Sequence, residues 1–176
     1  ADTPVPVLEY GRQKVAVESH LATRSTPSLI VRLPKLLCTR EAPNSMLHDW
    51  IRALARPGQI KCATDQYFTP LAVDDAARSI TRLLDASATG LFHVAGPQRL
   101  SRRELLAQLV AEYSLFATPL AEILDCRLGE IPALEPRPLD TSMDTALYTR
   151  QFGPCGLPAQ DVAKRAVRAS FQPLSA

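Results

Sequence analysis

Apolar positions along the chain follow two rhythms. Leu47, Trp50, Ile51 and Leu54 recur at i, i+3, i+4, i+7 and predict an amphipathic helix over residues 45–55, ended by Pro57-Gly58. Val73, Ala76, Ala77, Ile80, Leu83 and Leu84 share a face and predict a helix over 73–85. Asp74 and Asp75 stand in its first turn, where the helix dipole favours negative charge. A third helix carries Leu105, Leu106, Leu109 and Tyr113, opened by Ser101 and Glu104 at capping-box spacing. Further helices are expected over 9–24 and near 159–170. Between them, the short runs 28–33 (SLIVRL), 59–63 and 90–95 (GLFHVA) predict strands. Residues 1–8, with Pro4 and Pro6, and the Pro-rich stretch 117–142 are expected to be irregular. Strands alternating with helices give an α/β class, with too few strands for a complete doubly wound sheet.

Composition narrows the classes of function. At 176 residues, 46% hydrophobic and 22% charged, the chain reads as one soluble domain with a real core. A net charge of +2 without any Lys/Arg run argues against nucleic acid as a partner. No apolar stretch approaches the roughly 18 residues of a membrane span. Residues 1–9 contain Asp2 and Glu9 and lack the apolar core of a signal peptide. Cys38, Cys62, Cys126 and Cys155 form no CxxC pair and read as reduced, mostly buried thiols, so a cytoplasmic protein is expected. His20, His48 and His93 are scattered; His93, within Leu91-Phe92-His93-Val94, reads as a satisfied core histidine, and no metal site is expected. Fifteen prolines against seven glycines, and a start at Ala1 inside a Pro-rich loop, read as a processed or truncated chain.

The chemistry-bearing pair is Tyr10 and Lys14. Four residues apart on a helix, they project from one face. A free tyrosine, with a pKa of about 10, is a poor acid or base at neutral pH. A neighbouring ammonium favours the phenolate. A tyrosine so tuned can pass a proton to or from a carbonyl or hydroxyl oxygen while hydride moves at the carbon. The spacing alone occurs in many helices, and the surrounding sequence gives it meaning.

Pro-Val-Pro-Val-Leu-Glu-Tyr-Gly-Arg-Gln-Lys-Val-Ala-Val-Glu (residues 4–18) resembles the P-x-x-x-Y-G-x-x-K-x-x-x-E stretch of the extended short-chain dehydrogenases/reductases. Asp65-Gln66-Tyr67-Phe68-Thr69-Pro70 with Val73-Asp74-Asp75-Ala76-Ala77 is similar to the DQxGxPT…xDDLA block of the dTDP-4-dehydrorhamnose reductases. Gly90-Leu91-Phe92-His93-Val94-Ala95-Gly96 and Leu100-Ser101-Arg102-Arg103-Glu104-Leu105 resemble their G-[IL]-[YF]-H-x-x-G…LSxxEL segment. Arg137-Pro138 with Thr141 and Asp144 resembles RPxxSxLD. The matches run in family order from residue 4 to about 170.

This resemblance implies the C-terminal part of an NAD(P)-binding Rossmann-like fold plus a small substrate-binding subdomain. Residues 1–35 and 60–95 would end the Rossmann-like core, and 36–59 and 96–176 would bind substrate. The implied activity is NADPH- or NADH-dependent reduction of a nucleotide-linked 4-keto sugar, in dTDP-rhamnose biosynthesis. Tyr10 would be the catalytic acid/base, and Lys14 would assist it and hold the nicotinamide ribose. Pro34 would pass near the nicotinamide. Asn44, Gln66 and Arg137 would lie in or beside the nucleotide-sugar pocket. Read from the residues alone, Arg137 is equally a loop arginine in solvent, and for Gln66 and Asn44 the reading as structural turn residues is the favoured one. A homodimer through the tyrosine helix is a further family analogy.

None of the seven glycines forms the Gly-rich turn that lets a backbone approach a pyrophosphate. That half of the cofactor site is expected before Ala1, and the 176 residues alone are expected to be inactive. Phe68 stands where the DQ block has glycine, Leu147 where Lys or Arg follows the LD segment, and Arg32-Leu33-Pro34-Lys35 lacks the usual aromatic strand exit. These departures leave two alternatives open. One is a non-catalytic binding protein resembling the regulatory subunit of methionine adenosyltransferase, which shares RPxxxxLD. The other is an inactive fragment.

Overall fold

The computed structural model describes residues 4–172, so residues 1–3 of the expected N-terminal loop lie outside the described residues. The helices are α1 (Glu9–Ala22), α2 (Met46–Leu54), α3 (Val73–Asp85), α4 (Arg102–Tyr113), α5 (Ala146–Phe152) and α6 (Ala159–Phe171). The strands are β1 (Leu29–Arg32), β2 (Leu36–Leu37), β3 (Gly58–Ala63), β4 (Tyr67–Phe68), β5 (Leu71–Ala72), β6 (Gly90–His93), β7 (Leu100–Ser101), β8 (Ala121–Cys126) and β9 (Asp140–Thr141). Parallel pairs β1–β6, β2–β5 and β3–β8 make this a mixed α/β structure. A small sheet of order β7-β4-β9 joins them, antiparallel between β4 and β7.

The helices expected from apolar periodicity form where that periodicity placed them. The capping box of α4 is complete: the Glu104 N–H donates to Ser101 Oγ at 3.1 Å, and the Ser101 N–H donates to the Glu104 carboxylate at 2.6 Å. The stretch expected to be irregular, 117–142, contains β8 instead. Its polar Glu122 and Asp125 hide the strand locally, and six-residue parallel pairing with β3 creates it. Helix α5 was not expected either.

The buried residues gather in two hydrophobic cores. Strand β3 pairs with β8, so Ile60, Cys62 and Phe68 join Leu47, Trp50, Leu105, Leu106, Leu109 and Val162 in the larger core. The smaller core gathers Leu71, Ala76, Leu83, Phe92 and Val94 around β1 and β6, and late residues Tyr148 and Cys155 return to it. Two devices lock the smaller core. A Cβ at Gly96 would collide with the Pro70 carbonyl, so the chain after β6 passes there only as glycine. Asp75, buried in α3, accepts the Leu157 N–H at 3.0 Å and pins the loop before α6.

Candidate active site

Helix α1 buries none of its side chains. Tyr10, Lys14 and Glu18 stand at four-residue intervals on one face, and Lys14 Nζ lies 5.1 Å from the Tyr10 ring centroid, within cation–π range. Tyr10 is open to solvent, 66% exposed. Glu18 clamps the helix to β1. Arg32 donates to its two carboxylate oxygens, from Nε at 2.9 Å and Nη2 at 2.6 Å. This paired geometry is the strong form of an ion pair, and it holds the Glu18 carboxyl below its ordinary pKa. His93 continues the chain of contacts. Its Nδ1 lies 3.1 Å from the Asp144 carbonyl, which can only accept, so Nδ1 carries the proton and Nε2 faces Arg32 Nη1 at 3.5 Å. His93 is satisfied, as expected, but it is half-buried at the rim rather than in a core; Phe92 beside it is the buried residue of β6.

Tyr10, Lys14 and Glu18 line a cleft of about 490 Å³ together with Val31, Leu33 and Met143. Leu33 and Met143 also line a second cleft of about 450 Å³, so the two adjoin. The second cleft contains Pro34, Gln66, Phe68 and Arg137. Pro34 thus borders the second cleft rather than the first. Arg137 is half-buried and donates from Nη2 to the Ile131 carbonyl at 2.8 Å, with no carboxylate partner among the described residues. Gln66 Oε1 is buried without a hydrogen-bond partner. Asn44 is exposed, lines neither cleft, and takes a left-handed φ of 55° in the turn before α2. It is a turn residue, one of the two roles its sequence allows. Phe68, 3% exposed, fills with a ring the place where glycine was expected and forms one wall of the second cleft.

One cleft residue escaped the sequence reading. Arg102, the first residue of α4, reaches into the second cleft beside Gln66 and Arg137. Its guanidinium carbon lies 5.4 Å from the Trp50 ring centroid, and its buried Nε has no partner. The one local signal was an arginine in a first helical turn, where the dipole disfavours a cation. A further cavity of about 490 Å³, between α2 and the end of α6, holds none of the expected site residues.

The described residues form a mixed α/β structure with parallel pairing, with a Tyr/Lys helix face beside an arginine-bearing cleft, and this arrangement is shared with part of several solved reductases. A dTDP-4-dehydrorhamnose reductase of Clostridium acetobutylicum superposes with a TM-score of 0.83 at 19% identity, over 97% of this chain and 59% of that one. A dTDP-4-dehydrorhamnose reductase of Bacillus anthracis, solved in complex with NADP, superposes with a TM-score of 0.78 at 23% identity, over 93% and 56%. The chain belongs to the RmlD substrate binding domain family, whose family model matches residues 1–169. It is 27% identical over 177 aligned residues to the probable low-salt glycan biosynthesis reductase Agl14 of Haloferax volcanii. The alignment covers 99% of this chain and 58% of that protein, so the chain spans little more than half the length of this curated relative.

Proposed function

We propose that this chain forms the substrate-binding portion of an NAD(P)H-dependent reductase acting on a nucleotide-linked 4-keto sugar, of the dTDP-4-dehydrorhamnose type. The observation that carries this is the adjoining pair of clefts. A Tyr/Lys face opens one, a glutamine and an arginine without a carboxylate line the other, and Leu33 and Met143 belong to both. An elongated ligand with a reacting sugar at one end and a diphosphate toward the other matches that sequence of surfaces.

The chemistry assigned to this chain is proton transfer and orientation. The bound nicotinamide would supply hydride to the sugar carbon. The Tyr10 hydroxyl donates its proton to the carbonyl oxygen as that oxygen gains negative charge. The Lys14 ammonium, over the Tyr10 ring, stabilises the phenolate left behind and offers its hydrogens to a ribose hydroxyl. Arg137 presents a guanidinium to the diphosphate, and Gln66 Oε1 accepts from a sugar or base donor. Pro34, on the wall of the second cleft, helps shape the space for the diphosphate-bearing part of the ligand.

A preceding half that completes the cofactor site is part of this reading. It is supported by the 58% coverage of the curated relative and by α1, which leaves all its side chains unburied here. NADPH is the cofactor to assay first, because one structural neighbour is described with NADP. The test is Tyr10→Phe in the full-length protein. Turnover of dTDP-4-keto sugar with NADPH is expected to fall by about 10²–10⁴-fold, with dTDP affinity unchanged. Unchanged turnover would return the protein to the non-catalytic alternative.

A further inference from the structure

Arg102 occupies a position that folding alone disfavours four times over. It stands at the first position of α4, where the positive end of the helix dipole opposes a cation. No carboxylate pairs with it among the described residues, whereas its neighbour Arg103 reaches Asp125 and Arg99 reaches Asp140. Its Nε is buried without a partner. Arg137, a second guanidinium, lines the same cleft. Burial lowers its pKa from the ordinary arginine value, an effect that the neighbouring Cys62 opposes and Arg137 reinforces. A half-buried guanidinium without a carboxylate is costly to hold, and the face of Trp50 offsets only part of that cost.

The placement is nevertheless fixed from both sides. The Arg102 N–H donates to the Gln66 carbonyl at 2.8 Å, so the backbones carrying the two cleft residues are joined. The capping box immobilises the turn from which Arg102 projects. The cleft therefore holds two guanidiniums without carboxylates and, in Gln66 Oε1, a buried acceptor without a donor. The missing partner is an anion with room for two forks, attached to a group carrying a hydroxyl or N–H.

We infer that Arg102 is a second anion-binding residue of the site and clamps a diphosphate together with Arg137, while Gln66 accepts from the attached sugar or base. The inference rests on the nucleotide-sugar reading above and adds to it a residue and a division of labour. The Tyr10 cleft carries out the reaction, and the Arg102–Arg137 cleft supplies affinity. Arginine suits this role because its planar fork meets two phosphate oxygens at once.

The test uses the full-length protein, inorganic pyrophosphate as probe, calorimetric titration at low salt, and thermal unfolding. Wild type is expected to bind pyrophosphate. Arg102→Met and Arg137→Met should each weaken that binding at least about tenfold, while Arg103→Met should leave it within twofold. Without pyrophosphate, Arg102→Met should match or exceed the wild-type Tm, because a half-buried charge without a carboxylate has been replaced by an apolar chain. A lowered Tm, or failure to fold, would make Arg102 a structural residue and overturn the inference. Unchanged pyrophosphate affinity in Arg102→Met would overturn it equally. The underlying reading fails separately: pyrophosphate binding dependent on Arg102, with no reduction of any nucleotide-linked keto sugar, would remove the reductase and leave the anion site standing.

Discussion

The Tyr10 cleft is walled by a helix that buries nothing, whereas the Arg102 cleft is walled by elements that make up the larger core. In the first, α1 is held to the rest of the molecule by the Glu18–Arg32 clamp. In the second, Phe68, Met46 and the turn before α4 are packed residues. The difference bears on what each region can do unaided. A recognition cleft set in a core is pre-organised, so a ligand does not have to order it. A proton-transfer pair on an open helix face is exposed to water, and water weakens the electrostatic effects on which such a pair depends. The contrast predicts that anion recognition resides in these residues, whereas catalysis depends on whatever covers α1.

The largest way to break the contrast is to damage the core beneath the second cleft. Leu106, fully buried in α4, packs in the larger cluster. Leu106→Ala is expected to cost about 2–5 kcal/mol in denaturant unfolding, and to weaken pyrophosphate binding because α4 carries Arg102. A loss below about 1 kcal/mol would mean that the second cleft is no better supported than the first.

Next comes the clamp. Glu18→Gln keeps the shape and removes the charge, leaving one Arg32 hydrogen bond to the amide oxygen and setting the amide NH2 against the other Arg32 donor. Because a displacement of about 1 Å can cost on the order of 10²-fold in rate, kcat is expected to fall roughly 10–100-fold with pyrophosphate affinity unchanged. Exchanging the pair, Glu18→Arg with Arg32→Glu, should restore part of that rate. The sign with pH is also fixed. Arg32 hydrogen bonds hold the folded Glu18 pKa below the ordinary 4.5, so its contribution to stability is full above that value and disappears as pH falls through the lowered one. The acid limb of a stability–pH profile should therefore be shallower in Glu18→Gln. Equal profiles would show that the clamp carries no weight.

The two regions also differ in how much of them could be read in the sequence. Helix α3 was legible to its ends from its helical period and the two aspartates that open it, but not its buried face: Asp75, Ala76, Ser79 and Leu83 face inward, while Val73, Ala77 and Leu84 of the expected apolar face are exposed. The Tyr10–Lys14 pair was legible because helical spacing is a local property and its flanks carry a family pattern. Arg102 was not, because its burial depends on Trp50, Gln66 and Arg137, residues distant in sequence that only the fold brings together. Strand β8 was hidden for the same reason: β3, far earlier in the chain, defines it. Asn44 shows the converse, a polar residue whose local turn geometry decides its place.

A smaller effect tests the turn that presents Arg102. Ser101→Ala removes the hydroxyl that accepts the Glu104 N–H, and caps of this kind are worth about 0.5–2 kcal/mol. Unfolding should register a loss of about 1 kcal/mol, with pyrophosphate binding weakened only a few fold, since the Arg102 backbone remains bonded to Gln66. An affinity loss as large as that of Arg102→Met would mean that the cap, rather than the Gln66 contact, positions the guanidinium.

The smallest expected effect sharpens the contrast most, because it sets two arginines on the same short segment against each other. Arg99 stacks over Tyr67 at 4.0 Å and pairs with Asp140 at 2.7 Å, joining the flanks of the small sheet. Its partners satisfy it, and both side chains are about half exposed, so solvent screens the pair and its worth is under about 1 kcal/mol. Arg99→Ala should therefore shift unfolding slightly and leave pyrophosphate affinity within twofold. Three residues further on, Arg102 lies against Trp50 but has no carboxylate partner among the described residues, and its replacement is expected to do the reverse: no loss of stability and a loss of affinity. If the two substitutions behaved alike in both measurements, general positive charge near the cleft would account for anion binding, and the distinction between an arginine paired to a carboxylate and a half-buried one without would carry no functional meaning here.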